Sequence, residues 1–228
     1  MGWEVSKNNT KTVYVLKCDI RKFFANIDHD ILKAILKNYI QDENTLWLLG
    51  QVIDSFQVNT HIRYRAYVPS ATNSAMAENV AFNTKGLPLG NLTSQLLVNI
   101  YMNEFDQFVK RELKVKYYMR YADDFVILSE EKQYLENVLE QMKKFLENNL
   151  KLQMHPNKVY IKTLFSGLDF LGWVHFPKHR VLRTATKRRM FRNLAENQKP
   201  NTLSSYLGML SHGNGYKLAE KIKIQSLD

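Results

Sequence analysis

Several features that are common in secreted and membrane proteins are missing from this sequence. Its 228 residues include one cysteine, Cys18, so the chain forms no internal disulfide and suits the reducing cytoplasm. There is no early apolar leader segment and no long uncharged apolar stretch, which argues against secretion and membrane spanning, and we expect no partner within a membrane. Glycine (9 residues) and proline (5 residues) are sparse, and no repeat or low-complexity tract occurs. We therefore expect an ordinary globular chain in the cytoplasm.

The charge balance is the first positive indication of function. Lysine and arginine total 32 residues against 22 aspartates and glutamates, which gives a formal net charge of +10. Such an excess favours a polyanionic partner, either nucleic acid or an acidic membrane surface. The length suits one compact domain with an appendage, long enough to bury a core.

Hydrophobic patterning predicts which segments form helices and strands. Alternation and β-prone composition predict strands at 12–18, 151–155, 159–164 and 170–176, with a hairpin around Asp123-Asp124. Helical spacing predicts a helix that begins after an Asp28 N-cap, and further helices at 46–56, 93–113 and 129–146. Residues 57–85 suggest a loop with a short hairpin.

The order of these elements indicates the fold class. A strand, two helices, a hairpin, a helix and further strands fit an α+β fold, in which helices back an antiparallel sheet. Beyond Pro177 the composition becomes basic and helical. We therefore expect two regions, residues 1–177 and residues 178–228.

Two adjacent carboxylates, Asp123 and Asp124, stand where two β-prone runs meet. At a tight hairpin tip both side chains can point toward one side, although Asp-Asp is also good turn chemistry. Asp19 ends the first strand, where it could equally be a solvated residue. If these strands are neighbours, three carboxylates come together, a ligand type that suits Mg²⁺. Two such ions about 4 Å apart would clamp a phosphoryl transfer.

Four segments together resemble one known family. In order and spacing, three of them resemble palm motifs of reverse transcriptases and the fourth resembles the primer grip. The segments are Lys17-Cys18-Asp19-Ile20-Arg21-Lys22-Phe23-Phe24, Gly86-Leu87-Pro88-Leu89-Gly90-Asn91-Leu92-Thr93-Ser94-Gln95, Tyr121-Ala122-Asp123-Asp124 and Leu168-Asp169-Phe170-Leu171-Gly172. The resemblance implies an RNA-directed DNA polymerase with a right-hand palm (1–177) and a small basic helical thumb (178–228).

The resemblance also implies roles for individual residues. The metal ligands would be Asp19, Asp123, Asp124 and the Ile20 carbonyl, with two Mg²⁺ ions and Mn²⁺ as a possible substitute. Lys158 would protonate the leaving pyrophosphate. The deoxynucleoside triphosphate would meet Ile20, Lys22, Phe23, Phe24 (the steric gate), Leu89, Gly90 and Gln95. The RNA template and the DNA or RNA primer would meet Phe170, Leu171, Gly172, Arg183, Lys187, Arg188 and Arg189.

Simpler interpretations exist for several of these residues. Phe24 could be an ordinary core aromatic, Lys158 a solvated turn lysine, and Gly90 only the end of a turn. The basic run after Pro177 could be a solvated charged face. These alternatives stay open at the level of sequence.

The second motif narrows the type of enzyme that the resemblance implies. Many reverse transcriptases carry Gln before the motif glycine, whereas this chain has Leu89, followed later by Ser94-Gln95. This variant resembles the enzymes of diversity-generating retroelements, which misincorporate opposite template adenines and use a basic oligomeric accessory protein. A prokaryotic or phage origin would follow. Group II intron and retron enzymes are the alternatives.

One part of the family pattern is largely absent. The first motif begins close to Met1, so the resemblance implies little or no fingers region before the palm. A non-catalytic RNA-binding module built on a decayed palm is therefore a second hypothesis. The three aspartates argue against decay.

Overall fold

The computed structural model describes residues 2–8, 10–55, 84–196 and 200–225, so the loop expected at 57–85 lies almost wholly outside the described residues. The chain divides into two compact units. The first comprises residues 1–19, 115–139 and 157–228, and the second comprises residues 20–114 and 140–156. The described residues form helices together with two antiparallel sheets, so the α+β class is confirmed.

The first unit is built on a four-stranded antiparallel sheet with the strand order β2-β3-β1-β4. The strands are β1 (Tyr14–Asp19), β2 (Tyr118–Tyr121), β3 (Asp124–Ser129) and β4 (Tyr160–Thr163). Valines and leucines of one sheet face form a buried cluster, to which the short helix α1 (Gly2–Val5) contributes. The cluster contains Val5, Val13, Val15, Val126, Leu128, Leu164, Leu168 and Phe170.

The remainder of the first unit has a second sheet and three helices. The strands β5 (Leu168–Phe170), β6 (Trp173–His175) and β7 (Arg180–Leu182) pair antiparallel in sequence order. The helices are α6 (Thr184–Glu196), α7 (Pro200–Ser211) and α8 (Tyr216–Gln225). Leu182, Met190, Leu210 and Ile222 form their buried core.

Helices dominate the second unit. They are a 3₁₀ turn (Phe23–Asn26), α2 (His29–Tyr39), α3 (Glu43–Asp54), α4 (Leu92–Gln107) and a π-helical turn (Phe108–Glu112). The carboxylate of Asp28 accepts hydrogen bonds from the Asp30 and Ile31 amides, which confirms the predicted N-cap. Along α4, Leu97, Tyr101 and Phe105 recur at helical spacing and are buried. The helix α5 (Lys132–Leu150) begins in the first unit and ends in the second.

The structure corrects three predicted elements. Residues 151–155 form only an isolated bridge, Ile20 to Met154, because Lys151 adopts a left-handed conformation (φ 48°) at the end of α5. The strand expected at 170–176 is divided between β5 and β6 by a turn at Leu171-Gly172. The helix expected at 93–113 changes to the π-helical turn after Gln107. Among the described helices, none is long and apolar enough to span a membrane.

Candidate active site

The register of the first sheet brings the three aspartates to one end. Asp19, the last residue of β1, lies directly opposite Asp124, the first residue of β3. Tyr121 also pairs with Asp124, which leaves Ala122 and Asp123 as a two-residue hairpin turn. Ala122 has a φ of 52°, a left-handed conformation that is costly for a residue with a Cβ. Asp123 therefore occupies the hairpin tip beside the carboxylates of two neighbouring strands.

Each strand carboxylate is paired with a lysine. Lys17 and Asp124 form an ion pair with Nζ and Oδ2 3.2 Å apart, and their side chains are 15% and 25% exposed. Lys158 and Asp19 form a second pair at 3.1 Å, in which the lysine side chain is 57% exposed. Because water screens exposed pairs, the Lys17–Asp124 pair is the stronger of the two.

Asp123 shows the electrostatic effect of the crowding. Burial raises the pKa of its carboxyl group, and the negative charges of Asp19 and Asp124 raise it further. The positive charge of Lys158 opposes this rise. A raised carboxyl pKa means that the ionised form is disfavoured and would gain from a bound cation.

The donor chemistry of this cluster suits Mg²⁺, but a complete ligand set is not preformed. Asp124 Oδ1 is buried and has no hydrogen-bond partner among the described residues, so one carboxylate oxygen is available. In the described part of the chain, however, no three His, Cys, Asp or Glu side chains are arranged to hold a metal ion. The two lysines instead hold Asp19 and Asp124. The metal-ligand roles therefore stay predictions.

The segment 168–172, which resembles a primer grip, lies next to a basic cavity in the same unit. Phe170 is buried, whereas Leu171 is exposed at a left-handed turn (φ 52°) with Gly172 (φ 82°). Asp169 Oδ2 pairs with Arg183 Nε at 3.0 Å. A cavity of about 700 Å³ opens beside this pair, lined by Gly172, Arg183, Ala185, Thr186, Arg188, Arg189 and Arg192. Lys187 is exposed and is not among the lining residues.

The pKa of Tyr160 is affected by charges both in the carboxylate cluster and at Asp169. Burial raises the pKa of its phenol, and the charges of Asp169 and Asp124 raise it further. Arg183 acts in the opposite direction. The phenol therefore lies within electrostatic range of both groups of residues.

The residues expected to meet the nucleotide lie in the second unit. Lys22 has a left-handed backbone (φ 47°) and is followed by the 3₁₀ turn, where the Phe23 and Phe24 rings make an edge contact. Phe23 is buried and Phe24 is half-buried, so Phe24 is not a fully enclosed core residue.

Three further residues of this group lie before and at the start of α4. Leu89 is 78% exposed, and Gly90 has a φ of 92° with open space where a Cβ would lie. Gln95 is exposed on the first turns of α4. The Ile20 backbone takes part in the bridge to Met154. Their roles at the nucleotide stay predictions.

Lys17 and Asp169 were not among the candidate residues predicted from the sequence. Lys17 lies two residues before Asp19, and strand alternation places the two side chains on one face, so this signal was present in the sequence. Asp169 lies inside the segment 168–172, and it was the role of this residue rather than of its neighbours that gave no signal. Their partners and the cavity depend on tertiary contacts.

Comparisons with known proteins concern the family and the fold of this chain. Residues 3–194 match the family described as reverse transcriptase (RNA-dependent DNA polymerase). Protein YkfC of Escherichia coli K12 is 26% identical over 78% of this chain and 49% of its own length. The group II intron-encoded protein LtrA of Lactococcus lactis subsp. cremoris is 24% identical over 75% of this chain and 35% of its own. The chain thus spans about half the length of these relatives, or less.

A solved structure shows the same fold at low sequence identity. Telomerase from Candida tropicalis, in complex with a fragment of telomeric RNA, is 12% identical with a TM-score of 0.55. The match covers 98% of this chain and 39% of that one, and it concerns the fold alone. Because the family match extends over most of the sequence, this chain belongs to the reverse transcriptase family.

Proposed function

We propose that this chain carries the active site of an RNA-directed DNA polymerase. The observation that carries the proposal is the placement of Asp19, Asp123 and Asp124 at one end of the sheet, with Asp124 Oδ1 buried and unpartnered among the described residues. Aspartate oxygens in this number are what phosphoryl-transfer enzymes use to hold Mg²⁺.

In the proposed reaction, a primer 3′-hydroxyl attacks the α-phosphate of a deoxynucleoside triphosphate. The bond from the α-phosphorus to the β-phosphate oxygen breaks, and pyrophosphate leaves. Asp19 and Asp123 would hold two Mg²⁺ ions, and Asp124 would complete the carboxylate cluster. When bound, these ions neutralise charge on the reacting phosphate oxygens. Lys158, which pairs with Asp19, is the candidate donor of a proton to pyrophosphate.

The roles proposed for residues that contact the incoming nucleotide are based on their positions in the palm motifs. We propose that the Lys22 and Phe23 amides bind the triphosphate and that Phe24 excludes a 2′-hydroxyl. Gly90 permits close approach of the backbone to the nucleotide. An increase in ribonucleotide incorporation by Phe24→Ala would support the steric-gate role, and unchanged sugar selection would contradict it.

The basic cavity is the proposed contact with the template and primer. Four arginines line it (Arg183, Arg188, Arg189, Arg192), and such side chains bind backbone phosphates without reading sequence. Each lost phosphate contact should reduce the slope of log affinity against log salt by about one. Arg188→Ala tests this in a duplex-binding titration, and an unchanged slope would remove Arg188 from the interface.

Primer extension on an RNA template with Mg²⁺ tests the proposed activity. The chain should extend the primer, and Asp123→Asn should reduce the rate at least about 10³-fold, a barrier change of roughly 4 kcal/mol. Glu136→Gln is the matched control, since it removes a partly exposed carboxylate of α5 that pairs with Lys132. If the chain binds template and primer but extends nothing at high nucleotide concentration, the non-catalytic RNA-binding module is the better description.

The type of reverse transcriptase is a finer proposal. Leu89 before Gly90 favours the diversity-generating type, with error-prone copying of a template RNA, because Leu offers the nucleotide only shape where Gln offers a hydrogen bond. The relationship to an intron-encoded protein favours the group II intron type instead.

Sequencing of the DNA products decides between the diversity-generating type and the group II intron type. Leu89→Gln should lower misincorporation opposite template adenine, and an unchanged error rate would contradict the diversity-generating assignment. An accessory protein and a cytoplasmic location accompany that assignment as predictions.

A further inference from the structure

Lys17 is held in place by the two strands that flank β1. Val126 of β3 and Tyr160 of β4 lie directly opposite Lys17 in the sheet, so a buried valine and a half-buried tyrosine border the lysine stem. The side chain is only 15% exposed. Its ammonium group therefore extends along the sheet face toward Asp124, which is its diagonal neighbour across β1 and β3.

The ion pair uses one oxygen of Asp124 and leaves the other free. Lys17 Nζ lies 3.2 Å from Oδ2, whereas Oδ1 is buried without a hydrogen-bond partner in the described structure. A cation bound at Oδ1 would share this carboxylate with the ammonium group. Like charges that share one carboxylate repel each other, most strongly where water is excluded.

The two lysines also reduce the charge of the cluster. Asp19, Asp123 and Asp124 can contribute three negative charges, and Lys17 and Lys158 contribute two positive charges. The contribution of Lys158 is screened because its side chain is 57% exposed. Lys17 is the enclosed cation, so it has the larger influence on any ion at this site.

We propose that Lys17 weakens the binding of divalent cations to the three carboxylates in the absence of nucleotide. This inference rests on the proposed function. With Lys17 in place, the protein carboxylates alone bind the ions loosely. The triphosphate supplies the additional negative charge that firm binding requires. Lys17 is thus a positioning residue that holds Asp124 and sets the cation affinity of the site.

The test is a titration of the protein with Mn²⁺, without nucleotide, in which the electron paramagnetic resonance signal of free Mn²⁺ reports binding. Lys17→Met should bind Mn²⁺ about tenfold more tightly than the unaltered chain, the order expected for removal of one partly screened charge. Lys17→Arg keeps the charge and should stay within about twofold of the unaltered chain. Lys158→Met should tighten binding less, by about twofold, because that lysine is exposed.

Two outcomes separate this inference from the proposed function. If Asp123→Asn binds Mn²⁺ as the unaltered chain does, the carboxylates are not the metal site and the proposed function fails. If binding depends on Asp123 but Lys17→Met binds equally or more weakly, only the role of Lys17 is wrong. Lys17→Gln is measured in parallel, and loss of the fold in both neutral variants would make Lys17 a folding residue and overturn the inference.

Discussion

The two ends of one sheet face in the first unit differ sharply in chemistry. At one end, Val15, Leu128 and Leu164 belong to a buried apolar cluster. At the other, Lys17, Asp19 and Asp124 form a charged group at the strand ends. Val15 and Lys17 are only two residues apart, about 7 Å along an extended strand. The change from core to candidate active site therefore occurs within one step of the strand repeat.

This contrast shows how a short strand supports both stability and chemistry. Because the side-chain period is two, Val15, Lys17 and Asp19 must share a face once β1 is in register. The apolar cluster fixes that register, since a shift by one residue would bury charges and expose valine. The position of the carboxylates is therefore a consequence of packing at the opposite end.

Shortening a side chain at the apolar end should have the largest effect on stability. Leu128→Ala should lower the free energy of unfolding by about 2–5 kcal/mol, because Leu128 is buried in the cluster and its loss leaves a cavity. Urea unfolding measures the change. Leu96→Ala is the control, since Leu96 is 61% exposed and should change stability by less than about 0.5 kcal/mol. If Leu128→Ala changed the free energy of unfolding as little as Leu96→Ala does, the apolar end of the sheet face would not be the end that stabilises the fold.

At the charged end, removal of a carboxylate should increase stability at neutral pH. Burial and the charges of Asp19 and Asp124 raise the pKa of Asp123 in the folded protein. The protonated form therefore favours folding, and this contribution is lost as the pH rises through the folded pKa. Asp123→Asn cannot ionise, so it should be more stable than the unaltered chain at pH 7.

The pH dependence of the stability difference between Asp123→Asn and the unaltered chain is the control for this prediction. The advantage of Asp123→Asn should narrow as the pH falls toward about 4, the ordinary range of aspartate, where the unaltered chain also becomes protonated. Urea unfolding in the presence of EDTA, at several pH values, measures the difference. An advantage that stays constant or widens at low pH would contradict the assignment.

The hairpin turn should give the smallest effect. Ala122 is left-handed (φ 52°), so Ala122→Gly should relieve backbone strain and, after the entropy cost of glycine, stabilise the chain by about 0.5 kcal/mol. Ala34→Gly on the exposed side of α2 should instead destabilise it by about 1 kcal/mol. Thermal unfolding compares the two variants, and the same sign for both would show that the turn is unstrained.

Local signals explain most of what could be predicted from the sequence. Asp28 as an N-cap, the end of β1 at Asp19 and the hairpin at Asp123 each depend on residues within a few positions of one another. Residues 151–155 were wrongly predicted as a strand because buried Leu152 and its neighbours look β-prone. The left-handed Lys151 that ends α5 leaves no sign in that pattern.

Motifs and strand periodicity are local properties of the chain, so they were enough to predict the family, the α+β class and the segments in which the three aspartates lie. The tertiary structure decided which charges meet. The pairing of β1 with both β3 and β4 places Lys17 beside Asp124, and the turn after β5 brings Asp169 to Arg183 at the basic cavity. Such partners are far apart in sequence, and only the register of the strands and the packing of the helices bring them together.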